Sequence, residues 1–308
     1  MPFVRARDID IAYEASGDPA HPAILLIMGL GMQLTAWPPE LVEGLVEQGF
    51  YVVRFDNRDV GLSSKMTAAG HPNLLWNALK YKLGWTIQAP YTLADMADDA
   101  LAVMNGLRLK QAHIVGASMG GMIAQTLAAR HPQRVLSLVS IMSSSGRRSL
   151  PGPSAAAQRA LFSRPARPHD IDSVTEHLVG VLRVIGSPAY PIPEGLLRER
   201  VRAAVARSNY PAGVLRQMTA VAAAGDRSAE LATIGAPTLV IHGAADPLVP
   251  LACGVDTAHC IPGARLEVIE GMGHDLPPAL IERLLALIAT HAHGKMLGDS
   301  LPNLFEKQ

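Results

Sequence analysis

Ser118 stands in Gly116-Ala117-Ser118-Met119-Gly120, a Gly-x-Ser-x-Gly pentapeptide preceded by the apolar run Ala112-His113-Ile114-Val115 and followed by a helical stretch from Gly121 to Arg130. This context predicts a sharp strand-to-helix turn that projects the serine hydroxyl, with small glycines letting neighbouring backbone pass close by. At the helix N-terminus the Met119 N–H is placed to meet negative charge developing on a substrate oxygen. Ser118 is thus a candidate nucleophile, provided that a base within hydrogen-bond reach takes its proton. Gly116, Gly120 and Gly121 would equally suit plain strand–helix packing, so the pentapeptide takes its meaning from its partners.

Eleven histidines compete for the role of base. His274, in Gly271-Met272-Gly273-His274-Asp275, follows the last apolar strand and is expected at the same carboxyl end of the sheet as Ser118. His113 lies inside a strand, His131 closes a helix before Pro132, and His21 and His71 precede prolines; these read as structural or solvated. His242 also follows a strand and is the main competitor, but it sits four residues before the expected acid. That acid must lie on a loop after a late strand to accept a hydrogen bond from the far nitrogen of the histidine, and Asp246 meets this condition. Asp275 adjoins His274 and cannot easily turn back on it.

His291 and His293 form a His-x-His without a third ligand nearby, so no metal is expected, and the chemistry calls for no cofactor. Cys253 and Cys260 lie seven residues apart in an expected helix, about 10 Å between Cα atoms. A disulfide spans less than about 7 Å, and neither thiol sits in a turn-rich motif that would suit a nucleophile.

The elements that position these residues alternate. Ile9 to Glu14 alternates like a strand, Ala23 to Met28 is a buried strand ended by Gly29, and Leu41 to Gln48 has helical spacing. Tyr51 to Phe55 is a strand, a helix is expected from Thr92 with Asp95 completing a capping box, and Val135 to Ile141, Thr238 to Ile241 and Arg265 to Ile269 are further strands. Strands alternating with helices imply a mainly parallel sheet covered on both faces. Residues 143–231 break the rhythm: prolines separate helical stretches such as Val174 to Val184 and Leu196 to Ala206. This segment is read as a helical cap inserted into a core made of 1–142 and 232–308. Its many arginines are read as solvated helix faces rather than an anion site. The tail from about Gly294 is polar and expected to be mobile.

The 27 basic and 27 acidic side chains cancel, so no overall field favours nucleic acid or an anionic membrane. Neither a signal peptide nor a membrane span is legible. The expected partner is a small-molecule ester, in a cytoplasmic protein that could be a homo-oligomer.

Five motifs in order resemble the α/β-hydrolase fold superfamily: Met28-Gly29-Leu30-Gly31, Phe55 to Ser63 (Asp-Asn-Arg-Asp-Val-Gly-Leu-Ser after the phenylalanine), the Ser118 pentapeptide, the Asp246 loop and the His274 loop. The branch it resembles is that of the aclacinomycin methylesterase-like esterases. The resemblance implies an α/β fold with a catalytic set of Ser118, Asp246 and His274, and an oxyanion hole formed by the N–H groups of Met119 and Leu30. The family usually has His-Gly where Met28-Gly29 stands, which leaves Gly29 as an alternative to Leu30. It further implies a carboxylic ester hydrolase, working on a methyl ester or another small-molecule ester through an acyl-enzyme. Carbon–carbon hydrolase, thioesterase, lactonase, amidase and perhydrolase activity, or a slow-turnover receptor, use the same set. Phe162, Leu182, Tyr190, Tyr210 and Met218 are the candidate walls of the substrate pocket.

Overall fold

The computed structural model describes residues 1–294; the tail beyond, with its expected mobility, lies outside the described residues. The chain opens with β1 (Phe3–Ala6), β2 (Ile9–Ser16), β3 (Ala23–Ile27), α1 (Pro39–Glu47), β4 (Tyr51–Phe55), α2 (Leu74–Lys82), α3 (Leu93–Gly106), β5 (Ala112–Ala117), α4 (Met119–Arg130) and β6 (Val135–Ile141). Helices α5 (Ala155–Phe162), α6 (Ile171–Ile185), α7 (Glu194–Arg207), α8 (Pro211–Ala224) and α9 (Ser228–Leu231) follow. The chain then returns through β7 (Thr238–Gly243), α10 (Leu251–Cys260), β8 (Arg265–Ile269) and α11 (Ile281–Ala292).

The eight strands form one sheet in the order β1-β2-β4-β3-β5-β6-β7-β8, antiparallel at β1, β2 and β4 and parallel from β4 through β3 to β8. Its central strands read as unbroken apolar runs because both faces are covered. Successive residues alternate between two cores: Leu25, Ile27, Val53 and Ile114 pack with α3 and α4, and Ile24, Leu26, Val52 and Val115 pack with α1 and α11. Thr92 caps α3 through the Asp95 amide, and the Asp95 side chain accepts from the Thr92 amide, as the capping-box spacing predicts.

The segment between β6 and β7 is helical, with a small apolar cluster of its own from Val174, Val179, Leu197, Val201 and Val205. Its arginines divide. Arg164, Arg167 and Arg202 are exposed as expected, whereas Arg216 and Arg227 are buried. Arg227 donates to the Gln125 side chain (2.9 Å) and to the Ser144 carbonyl (2.5 Å), tying the start of α9 to the sheet domain. Strand β1 and helices α2, α8 and α11 were not among the elements expected from spacing. Cys253 and Cys260 are both free, at opposite ends of α10.

Candidate active site

The turn after β5 holds Ser118 with φ +55° and ψ −121°, a left-handed backbone that costs energy for any residue other than glycine. Gly116 and Gly120 permit the turn, since a Cβ on Gly116 would run into the Gly120 carbonyl and one on Gly120 into the Ile27 carbonyl. The Ser118 amide donates to the Ile141 carbonyl (2.9 Å), and the Ser118 carbonyl accepts from the Ser143 hydroxyl (2.8 Å). The backbone is therefore fixed on both sides while the hydroxyl stays half-exposed.

His274 Nε2 lies 2.9 Å from Ser118 Oγ, and His274 Nδ1 lies 2.7 Å from Asp246 Oδ2. The Leu248 and Val249 amides each donate to Asp246 Oδ1 at 2.8 Å, which holds the carboxylate with its other oxygen aimed at the imidazole. A neutral His274 that donates from Nδ1 presents a lone pair at Nε2 to the serine hydroxyl. His242 Nε2 donates to the Val249 carbonyl (2.8 Å) and stands 3.7 Å from Asp246 Oδ2, farther than His274 does, and burial lowers its pKa.

The loop after β3 turns tightly from Gly29 to Met32 beside the serine. A Cβ on Gly29 would sit 3.1 Å from Ser118 Cβ, so only glycine leaves the hydroxyl free of contact there. Met119 opens α4, where the first amides of a helix lack intrahelical partners. The loop is held from two directions. Asn57 Nδ2 donates to the Met28 carbonyl (2.8 Å), and the Gly31 amide donates to Gln217 Oε1 on α8 (2.9 Å). Gln217 Nε2 in turn donates to the Arg58 carbonyl (2.9 Å).

The Asp56 to Ser63 stretch works as a hub. Asp56 accepts from the Leu34 and Leu62 amides (2.8 Å each) and pairs with Arg207 at the end of α7 (2.8 Å). Asp59 receives both guanidinium arms of Arg216 on α8 (2.8 Å each) and the Tyr91 hydroxyl (2.8 Å), all three side chains being buried. Burial opposes the charged Asp59 carboxylate, but the bonds from Arg216, the Met66 amide and Tyr91 outweigh it and lower its pKa. Arg58 reaches back to Asp99 on α3 (2.6 and 2.8 Å).

The His274 loop is also held from the segment between β6 and β7. The His274 amide donates to the Ile185 carbonyl (2.7 Å), and the Gly273 amide donates to Ser187 Oγ (2.8 Å), which itself donates to Asp275 (2.5 Å). Asp275 thus belongs to the loop's support, its pKa raised chiefly by burial.

The five candidate pocket walls occupy different surroundings. Phe162 is 61% exposed at the end of α5, and Leu182 packs against the α6–α7 cluster. Tyr190 lies against the core on the α11 side, near Gly271. The Tyr210 hydroxyl accepts from Arg216 (3.1 Å) at the start of α8, and Met218 is half-buried further along that helix. Gln217 and Ser187 were missed. The only signal for Gln217 was an Arg-Gln pair inside an Ala- and Val-rich helix, a pattern that requires buried partners.

The chain belongs to the α/β-hydrolase fold family, whose model matches residues 22–277. Within it, the chain is 32% identical over 302 residues to the rhodomycin D methylesterase DnrP of Streptomyces peucetius, covering 92% of this chain and 95% of that one. It is 31% identical over 304 residues to the rhodomycin D methylesterase DauP of Streptomyces sp. strain C5, at the same coverages. The solved structure of the meta-cleavage product hydrolase CumD from Pseudomonas fluorescens IP01 matches with a TM-score of 0.74 over 96% of this chain and 98% of that one. At 20% identity that is a likeness of fold. Among the described residues, no helix is long and apolar enough to cross a membrane.

Proposed function

We propose that this enzyme hydrolyses a carboxylic ester, with a methyl ester or other ester of a small molecule as the favoured class, through an acyl-enzyme on Ser118. The observation that carries the reading is the unbroken hydrogen-bonded line from Ser118 Oγ through His274 to Asp246. The relatives named as methylesterases support the ester class.

Ser118 Oγ attacks the carbonyl carbon while His274 Nε2 takes the hydroxyl proton, and the negative oxygen of the tetrahedral intermediate meets the amides of Met119 and Leu30, with Gly29 lining the same turn. Collapse expels the alcohol, which leaves with the proton from His274 and frees the acyl-enzyme. Water, deprotonated by His274, then attacks the acyl carbon. The acid departs and the proton returns to Ser118. Asp246 stabilises the imidazolium in each half. No step draws on a cofactor. Residues 143–231 act as a cap over the remaining core, with Phe162, Leu182, Tyr190, Tyr210 and Met218 as candidate walls.

Turnover of a panel of p-nitrophenyl acyl esters and simple methyl esters by wild type and Ser118→Ala tests this. The expected loss in kcat is roughly 10⁴-fold or more. Undiminished turnover in the variant would overturn the reading, and no turnover by well-folded wild type would favour carbon–carbon hydrolysis or binding without catalysis.

A further inference from the structure

Among the described residues, helix α2 presents an apolar face that is largely open to solvent. Leu75 is 87% exposed and Trp85, just past the helix, 52%, while Trp76, Leu79 and Leu83 are also exposed. At about 100° per residue, Leu75, Leu79, Leu83 and Trp76 fall within an arc of about 100°, with Lys82 just before one edge and Lys80 just past the other. Trp85 joins that face through an edge-on contact with Trp76, ring centroids 6.3 Å apart. Lys80 lies over the Trp76 ring at 5.9 Å. These are two of the chain's three tryptophans; the third, Trp37, is buried.

Charge selects the occupant. Residues 60–94 contain no acidic side chain, and the neighbours of α2 repeat the bias: α8 carries none, and exposed Arg148 stands over Tyr81 at 5.6 Å. A second copy docked by two-fold symmetry would set Lys80, Lys82 and Arg148 against themselves with no carboxylate on that face to pair them. Leucines flanked by lysines that can extend past them, with tryptophans at the edge, suit instead the boundary of a lipid layer with negative headgroups.

We propose that α2 and Trp85 form an interfacial anchor for an anionic lipid surface. The chain's zero net charge does not oppose this, because the attraction acts locally and decays within about 10 Å. Since α2 packs on α8, whose Gln217 reaches the Gly31 turn, the anchor sets the cleft beside the lipid surface. The inference stands apart from the ester-hydrolase reading.

The test is co-sedimentation of the full-length protein with vesicles of phosphatidylcholine alone and with added phosphatidylglycerol, alongside tryptophan emission. The expected result is partition onto the anionic vesicles with a blue shift. Partition should fall roughly fivefold for each lysine removed in Lys80→Ala and Lys82→Ala, and should be lost in Leu75→Glu/Leu79→Glu. These variants should keep the wild-type circular dichroism, which separates loss of the anchor from misfolding. No partition by the wild type, equal partition by folded Leu75→Glu/Leu79→Glu, or a wild-type dimer that this variant dissociates would overturn the proposal.

Discussion

The sheet domain and the helices between β6 and β7 are held together by different physics. The sheet packs apolar side chains on both faces, so its strands are fixed by burial from every direction. Of the intervening helices, α6 and α7 share a cluster of five aliphatic residues, α8 and α9 bury Ala220 and Leu231 in the sheet core, and directional polar contacts add to this: Arg216 to Asp59, Arg207 to Asp56, Arg227 to Gln125, and Gln217 to the Gly31 turn. Apolar burial is strong but tolerant of small shifts, whereas a buried two-pronged ion pair is intolerant of them. Placement of the Gly29–Met32 turn and the His274 loop, each bonded to these helices, therefore depends in part on polar geometry that the sheet does not supply.

The largest expected effect separates the two regimes. Asp59→Ala leaves Arg216 buried without its partner and should cost about 4 kcal/mol in denaturant unfolding. Adding Arg216→Met should recover much of that loss. A double variant as unstable as Asp59→Ala would mean that the pair itself, rather than the stranded charge, sets the cost. In the sheet, Leu25→Ala should cost about 3 kcal/mol through lost burial and a cavity, with kcat unchanged in the molecules that remain folded.

Acid should distinguish the regions by pH window. Buried His113 on β5, packed edge-on against Phe50, has its pKa lowered from the ordinary 6.5 to about 4, by burial first and then by His291 and His293. The unfolded chain takes up this proton at higher pH than the folded one, so stability falls as pH drops from about 6.5 to about 4, by up to about 3 kcal/mol. His113→Asn should remove His113's share of that fall and leave the shares of His242 and His291, whose pKa values burial also lowers. The Asp59 carboxylate has a lowered pKa, so its contribution is complete above the ordinary carboxylate range and is lost as pH falls below about 4. Identical acid profiles for wild type and His113→Asn would remove His113 from the account.

The smallest effect is the most local. Gln217→Leu frees the Gly31 amide and should lower kcat roughly tenfold by loosening the Gly29–Met32 turn, the proposed oxyanion site, with a much smaller change in KM. An equal change in KM with kcat intact would reassign Gln217 to substrate binding.

Most of the sheet and the meeting of the Ser118, His274 and Asp246 side chains were legible because each depends on local sequence: an apolar run, a turn and a named side chain at the strand end. Thr92 and Asp95 announced their helix for the same reason. Gln217, Ser187 and Arg216 were not legible, because their roles come from partners at Gly31, Gly273 and Asp59, each 86 or more residues away in sequence. Reading the arginines between β6 and β7 as solvated failed where a carboxylate or carbonyl from the sheet domain waited for them. Helix α2 was missed although Leu75, Trp76, Leu79 and Leu83 keep a helical spacing that the sequence shows.

The central claim is that Ser118 carries the acyl group, and intact-mass analysis during reaction with a p-nitrophenyl ester tests it most directly. One acyl mass should appear on wild type within the first turnovers, map to the peptide containing Ser118, and be absent from Ser118→Ala. An adduct that persists in Ser118→Ala, or turnover with the acyl group on Cys253 or Cys260, would contradict the account.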